Sequence, residues 1–348
     1  MLVSVVIPTF NSADYLAQAI QSVLAQTYQD FEIIVVDDAS TDHTEEVLRS
    51  YAKRICYVRQ ERGGPSVARN RGILQARGEM IAFLDADDLW RPTKLARQVE
   101  YLDHHPEACL VYTDFTRGPQ PGSNNESRLQ AFKPRDSAQA FHGLLEENFI
   151  ATPTVMVRRS ALARSGLFDP KLRGSEDLDL WLRLAGGPSG TSLRSFGFID
   201  EVLVDVRQHA ANTSGSVDFI QEQIRATRMM LTRWGDDAAA ARLLRRRLGI
   251  CSWNLAFAEQ NRGRYAQARS AYWSSAYHAL AARPSAISYF MDWKGRKSMP
   301  PVAGAVARAV FMSLPFPVVA IAHGAARSLG RALRARRVGL RAPLARRG

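Results

Sequence analysis

Three short acidic runs in this 348-residue chain carry side chains that suit cation binding and proton transfer. Asp37–Asp38 and Asp85–Ala86–Asp87–Asp88 each follow a short apolar run, whereas Glu176–Asp177 precede an amphipathic run. Three carboxylates within four residues repel one another, and this arrangement is costly unless a cation lies among them. Because hard oxygen ligands suit Mg²⁺ or Mn²⁺, the second run indicates a divalent cation site.

Short apolar runs predict the strands that position these carboxylates. We expect buried strands at Leu2–Ile7, Phe31–Val36 and Met80–Leu84, a short strand at Ile55–Arg59, and helices at Ser12–Gln26, Thr41–Tyr51 and Ser66–Ala76. This alternation predicts an α/β fold, with a mostly parallel, Rossmann-like sheet flanked by helices. Ligands of such sheets bind beyond the carboxyl ends of the strands, where Thr9 and the first two acidic runs lie.

The rest of the chain gives weaker patterns. Ile150–Val157 is expected to be extended, Leu178–Leu184 to be helical, and Asp88–Leu89–Trp90 to begin a helix. Beyond about residue 216 the strand pattern stops. Ala238–Ala282 is rich in Ala, Leu and Arg and contains Gly263 between two helical halves, which predicts a helical hairpin.

Four motifs together resemble family 2 glycosyltransferases. They are Ser4–Asn11 (SVVIPTFN), Val35–Asp42 (VVDDASTD), Asp85–Asp88 (DADD) and Glu176–Leu184 (EDLDLWLRL), in the family's order and approximate spacing. The resemblance covers residues 1 to about 215. It implies a GT-A fold and inverting transfer of a sugar from a nucleoside-diphosphate sugar to an acceptor hydroxyl.

The resemblance also implies roles for individual residues. Asp38 would contact the nucleoside, with Pro8 and Thr9 lining the same pocket and Asp37 as a further candidate for donor binding. The residues alone indicate that one carboxylate of the Asp37–Asp38 pair caps a turn while the other reaches the crevice. Arg69, Asn70, Asp85 and Arg207 would contact the donor, and Asp87 and His209 would lie at the Mg²⁺ or Mn²⁺ ion. Asp177 would be the catalytic base, with Glu176 beside it.

Charge divides the chain unevenly. Residues 1–215 hold 23 Lys and Arg against 28 Asp and Glu, whereas residues 216–348 hold 23 against 6, a net charge of +17. The uncharged stretch Ala309–Ala326 adjoins the basic end, which favours an interfacial membrane segment over an ordinary buried helix pair. From the positions of the motifs we predict a catalytic domain at 1–215, followed by a helical region at 216–295 and an apolar and basic segment at 296–348.

These features predict where the enzyme works. The basic segment would hold a cytoplasmic enzyme peripherally on the inner face of the plasma membrane, near a saccharide or lipid-linked acceptor. Surface polysaccharide or glycolipid synthesis in a bacterium is the expected context. Three widely spaced cysteines give no metal or disulfide pattern, which agrees with a reducing cytosol.

Two other functions fit the sequence less well. A nucleotidyltransferase would need a glycine-rich, lysine-bearing loop after the first strand, and Pro8–Asn11 supplies neither. A nucleic-acid-binding protein would need aromatic residues among the basic ones. After Trp293 only Phe311 and Phe316 occur, both inside the apolar stretch, so no nucleic-acid partner is expected.

Overall fold

The computed structural model describes residues 1–118, 137–186, 195–209 and 216–282. The chain divides into two compact units, Met1–Leu248 and Gly249–Gly348. We call the first the sheet unit and the second the hairpin unit.

The described part of the sheet unit has eight strands and nine helices, of which the last continues into the hairpin unit. The strands are β1 (Val3–Thr9), β2 (Phe31–Asp37), β3 (Cys56–Arg59), β4 (Met80–Phe83), β5 (Leu89–Trp90), β6 (Ala108–Gly118), β7 (Met156–Arg158) and β8 (Ser195–Arg207). The helices are α1 (Ala13–Leu24), α2 (Thr44–Arg49), α3 (Pro65–Gln75), α4 (Lys94–His104), α5 (Ser137–Glu146), α6 (Arg159–Ser165), α7 (Glu176–Leu184), α8 (Val217–Trp234) and α9 (Ala238–Asn261). A 3₁₀ turn covers Thr152–Thr154.

One mixed sheet orders the strands β3-β2-β1-β4-β7-β6-β8-β5. β1 pairs in parallel with β2 and β4, and β2 pairs in parallel with β3. β7 runs antiparallel to both of its neighbours. The predicted α/β sheet is confirmed, and the carboxyl ends of β1, β2 and β4 meet at one edge.

Burial explains why these runs form strands and how α3 reaches them. Val5, Val6 and Ile7 of β1 are fully buried, as expected for a strand covered on both faces. A Cβ atom at Gly72 of α3 would lie 2.4 Å from the Val6 Cγ1 atom. Glycine at this position therefore allows α3 to lie close against β1, which places the polar residues of α3 near the sheet edge.

The expectation that Asp88–Leu89–Trp90 begins a helix is wrong. Leu89 and Trp90 form β5, which pairs antiparallel with β8. The Trp90 indole N–H donates to the Pro153 carbonyl at 2.9 Å, and α4 begins only at Lys94. Pro92 disfavours helical backbone at the residue before it, so the chain stays extended until the proline is passed.

The sheet unit continues beyond residue 215, where the sequence placed a boundary. Met230 and Trp234 of α8 and Leu244 of α9 are buried in the main core. Arg233 of α8 donates to Asp179 of α7 at 2.7 Å. α8 and the start of α9 are therefore part of the sheet unit and contribute to its core.

The described part of the hairpin unit contains the end of α9 and helix α10 (Tyr265–Ala281). Gly263 between them has a φ of +77°, a backbone conformation that glycine adopts without strain. Ala256, Ala268 and Tyr272 form a small core, so the helical hairpin is confirmed. Within the described residues, no helix combines the length and apolarity needed to span a membrane. Ala309–Ala326 and the rest of segment 296–348 lie outside the described residues.

Candidate active site

Asp37 holds the turn that follows β2. Its carboxylate is fully buried and accepts hydrogen bonds from the Ser40 backbone N–H at 2.8 Å and the Tyr57 hydroxyl at 3.2 Å. Arg59 lies 3.5 Å from the same carboxylate. The carboxylate is therefore occupied by protein groups.

Asp38 fastens the end of β2 to the start of α3. Its two carboxylate oxygens accept hydrogen bonds from the Gly63 and Gly64 backbone N–H groups at 2.7 and 2.8 Å, and from Gln60 at 2.8 Å. Its own backbone N–H donates to the Thr9 carbonyl at 2.9 Å. The Thr9 Oγ1 atom beside it is buried and has no hydrogen-bond partner among the described residues. The nucleoside contacts of Thr9 and Asp38 stay predictions.

Three non-glycine residues in the described backbone have left-handed φ values, and all lie at this edge. Asn11 (φ 48°) follows β1, Ala39 (φ 63°) follows β2, and Ser175 (φ 61°) precedes α7. Such backbone is strained for residues that carry a Cβ atom, and it is commonly found at functional sites. Ala39 directly follows the first acidic run and Ser175 directly precedes the last, so these two residues set the direction of the chain next to those carboxylates.

Arg69 of α3 joins two acidic runs that are far apart in the sequence. Its guanidinium donates to Asp85 Oδ1 at 2.7 Å and to Glu176 Oε1 at 2.8 Å. The side chain is 7% exposed. Burial acts to lower the pKa of Arg69, but the two carboxylates outweigh it and the pKa is raised. One buried cation therefore holds the carboxylates after β4 and those of α7 together.

Asp87 and His209 form a close pair. His209 Nε2 lies 2.9 Å from Asp87 Oδ2, and the imidazole stacks on the Tyr15 ring of α1 at a centroid distance of 4.7 Å. Burial and the charge of Asp85 raise the pKa of Asp87, while the hydrogen bond to His209 opposes the rise. The structure thus brings together the two residues that the resemblance implied at the metal.

Asp88 was missed as a site residue. It is buried and accepts a hydrogen bond from the Arg207 backbone N–H at 3.0 Å, which fixes the end of β8 and so the position of His209. Burial, then the charges of Asp85 and Asp87, raise the pKa of Asp88 well above its ordinary value. The crowding of three carboxylates in the sequence was the signal that could have identified it.

Two residues expected to contact the sugar donor bind other protein groups in this structure. The Asn70 amide donates to the Phe168 carbonyl at 2.8 Å and accepts from the Phe168 N–H at 3.0 Å. The Arg207 guanidinium donates to Gln18 of α1 at 2.7 Å. Donor contacts by Asn70 and Arg207 stay predictions.

Asp177, in the first turn of α7, has the properties of a base. Its Oδ1 atom accepts from the Leu178 N–H at 2.7 Å, and its Oδ2 atom accepts from the Asn148 amide at 3.0 Å. Burial, followed by the charge of Glu176, raises the pKa of Asp177 to about 6. A base with a pKa close to the working pH transfers protons efficiently. Asn148 was not predicted, since it lies in a loop without any periodic pattern.

The donor set suits a divalent cation shared with a substrate. Among the described residues, no group of three or more His, Cys, Asp or Glu side chains could hold an ion. Mg²⁺ and similar ions commonly use one or two carboxylates and take their other ligands from water and substrate phosphates. Asp87 supplies one such carboxylate, and His209 beside it supplies an imidazole nitrogen, a ligand more typical of transition-metal ions than of Mg²⁺; both side chains are partly exposed.

Comparison with known proteins identifies the family. The Glycosyl transferase family 2 model matches residues 4–166. The chain is 33% identical over 188 residues to the putative teichuronic acid biosynthesis glycosyltransferase TuaG of Bacillus subtilis, covering 53% of this chain and 71% of TuaG. It is also 33% identical over 228 residues to the uncharacterized glycosyltransferase RT0329 of Rickettsia typhi, covering 62% of this chain and 66% of that protein. The chain thus spans just under two thirds of that relative. The chain belongs to glycosyl transferase family 2.

Solved structures confirm the GT-A fold. S. aureus TarS 1–349 matches with a TM-score of 0.61 and 19% identity, covering 93% of this chain and 92% of that one. The mannosyltransferase PcManGT of Pyrobaculum calidifontis, in complex with GDP-Man and Mn²⁺, matches with a TM-score of 0.50 and 20% identity, covering 88% and 85%. At these identities the likeness concerns the fold alone.

Proposed function

We propose that the protein is an inverting, metal-dependent glycosyltransferase that moves a sugar from a nucleoside-diphosphate sugar to an acceptor hydroxyl. The observation that carries the proposal is the Arg69 bridge. It holds Asp85, two residues before the proposed metal ligand, and Glu176, next to the proposed base, on one guanidinium. Solved relatives in fold are complexes with UDP-GlcNAc and with GDP-Man and Mn²⁺, which supports such a donor.

The donor would lie along the edge formed by β1, β2 and β4. Pro8, Thr9 and Asp38 would face the nucleoside, and the buried Thr9 hydroxyl would gain a hydrogen-bond partner there. Arg69 and Asp85 would lie at the sugar end. The buried guanidinium of Arg69 holds the carboxylates of Asp85 and Glu176 in fixed positions. These carboxylates could then accept hydrogen bonds from sugar hydroxyls and orient the sugar.

Asp87 and His209 would hold Mg²⁺ or Mn²⁺. When bound, the ion would neutralise charge on the departing nucleoside diphosphate. Asp88 would keep His209 in reach through its hydrogen bond with the Arg207 backbone.

Asp177 would take the proton from the acceptor hydroxyl. The hydroxyl oxygen forms a bond to the anomeric carbon as the bond to the diphosphate breaks, and the electron pair leaves with the nucleoside diphosphate. A single carboxylate base on the face opposite the leaving group inverts the anomeric centre, unlike the double displacement of retaining enzymes.

The acceptor would be a saccharide or lipid-linked intermediate in bacterial surface polysaccharide or glycolipid synthesis. The similarity to TuaG supports this context. The net charge of +17 on residues 216–348 would attract the cytoplasmic enzyme to the anionic inner face of the plasma membrane.

A donor screen tests the proposal. Purified protein is incubated with UDP-, dTDP- and GDP-sugars, with Mn²⁺ or with EDTA, and release of nucleoside diphosphate is measured. We expect release that requires the ion and that falls at least about a hundredfold in Asp87→Ala. The control is Asp103→Ala, an exposed carboxylate on α4, which should behave as the unaltered protein. Turnover that persists in EDTA would overturn the metal role of Asp87.

A further inference from the structure

Asn148 lies against the proposed base but belongs to none of the four motifs. It is in the loop between α5 and the 3₁₀ turn, 29 residues before Asp177 in the sequence. Its Nδ2 group donates to Asp177 Oδ2 at 3.0 Å. An ionised carboxylate only accepts hydrogen bonds, so this orientation of the amide suits the form of Asp177 that acts as a base.

The carbonyl oxygen of the same amide makes no hydrogen bond to a described residue. Asn148 Oδ1 is buried and has no hydrogen-bond partner among the described residues. A buried acceptor without a donor is unfavourable, and its presence calls for an explanation. The explanation we favour is that Asn148 meets a donor at another stage of the reaction.

We propose that Asn148 is the positioning residue for Asp177, donating to its carboxylate before proton transfer and accepting from its carboxyl group afterwards. This inference rests on the proposed function. After Asp177 has taken the acceptor proton, its new O–H needs an acceptor, and a half turn of the Asn148 amide presents Oδ1 in place of Nδ2. No further proton, electron or co-reactant is required.

The groups around Asp177 differ in whether they can bind both the ionised and the protonated carboxyl group. Glu176, on the same helix, repels the ionised form, while Arg69 of α3 stabilises it and is shared with Asp85. Asp179 is paired with Arg183 and Arg233. Two groups in the described part of the chain donate to the Asp177 carboxylate: the Leu178 backbone N–H is fixed as a donor, whereas the amide of Asn148 can offer either end.

Two variants of similar size test the proposal through the pH dependence of turnover. Asn148→Leu removes the hydrogen bond, and Asn148→Asp places a second carboxylate beside Asp177. We expect the apparent pKa of the acid limb of kcat/KM to rise by about one unit in Asn148→Leu, because the lost hydrogen bond to the ionised carboxylate is about 1–1.5 kcal/mol stronger than the lost one to the neutral carboxyl group. The rate would then fall about fivefold at pH 6 and remain nearly unchanged above pH 8. Asn148→Asp should raise this apparent pKa further, because a second carboxylate repels the ionised form of Asp177.

A titration that needs no substrate separates this inference from the proposed function. The carboxyl ¹³C signal of Asp177 is followed against pH in the unaltered protein and in both variants, and its pKa should rise in the order unaltered, Leu, Asp. An unchanged Asp177 titration, or a loss of rate that is equal at all pH values, would overturn the positioning role. Full activity in Asp177→Asn would instead overturn the base assignment, and the inference with it.

Discussion

Asp177→Asn should stabilise the protein while removing its activity. The unaltered carboxyl has a pKa of about 6 in the folded chain, against an ordinary value of 3.8. Because this pKa is raised, the folded protein binds more protons than the unfolded chain between those two values. The free energy of unfolding therefore falls as the pH rises through that window, and the loss is complete above pH 6.

The magnitude follows from the shift. A difference of about two pK units corresponds to about 3 kcal/mol of unfavourable free energy at pH 8. An asparagine side chain has no charge to bury, and its amide can still pair with Asn148, whose Oδ1 atom accepts no hydrogen bond from any residue that the structure describes. We expect the free energy of unfolding of Asp177→Asn to exceed that of the unaltered protein by about 2–3 kcal/mol at pH 8 and to match it near pH 4.

Urea unfolding without donor or divalent ions, repeated from pH 4.5 to 8, measures this difference. The control is Asp179→Asn on the same helix, where the buried carboxylate binds Arg183 and Arg233. Breaking that pairing should lower the free energy of unfolding by roughly 2–3 kcal/mol at pH 8. If Asp177→Asn gives no gain at pH 8, or a gain that does not change with pH, the reasoning about the buried base is wrong.

Three further predictions concern other parts of the chain. Arg69→Met should lower the free energy of unfolding by roughly 3 kcal/mol in urea titrations, because two partly buried carboxylates lose their cation, whereas Arg71→Met at an exposed position should change it little. Ser175→Val should lower it by about 1–2 kcal/mol, and Ser175→Gly should not, since glycine alone accepts the left-handed backbone freely; equal losses would contradict this. Removal of residues 298–348 should abolish sedimentation with anionic phospholipid vesicles, and unchanged binding would count against the membrane role of the basic segment.

Much of the sheet could be predicted because buried parallel strands are continuous apolar runs. β1, β2 and β4 were placed to within two residues from Leu2–Ile7, Phe31–Val36 and Met80–Leu84. β5 could not be predicted, because a strand of two residues is fixed by its partners, here β8 and the Pro153 carbonyl. Long-range contacts of this kind leave no periodic pattern in the sequence.

Some residues of the candidate site could likewise be predicted from the sequence, and others could not. The acidic runs were recognised from residue type, spacing and family resemblance, and the structure joins two of them through Arg69. The sequence left open which of Asp37 and Asp38 holds a turn; in the structure both accept backbone N–H groups. Asn148 could not be found from the sequence, because its role arises from a contact across 29 residues within the fold.

In the proposed complex, carboxylates that are distant in the sequence surround one cation and one donor. Paramagnetic broadening of backbone amide signals by Mn²⁺, added together with the nucleotide sugar, measures this geometry because the effect falls steeply with distance. We predict that the signals of Asp38, Asp87 and Asp177 broaden together, while that of Phe31, about 20 Å away at the other end of β2, remains sharp. Broadening at Asp87 that leaves Asp38 and Asp177 sharp would contradict the account.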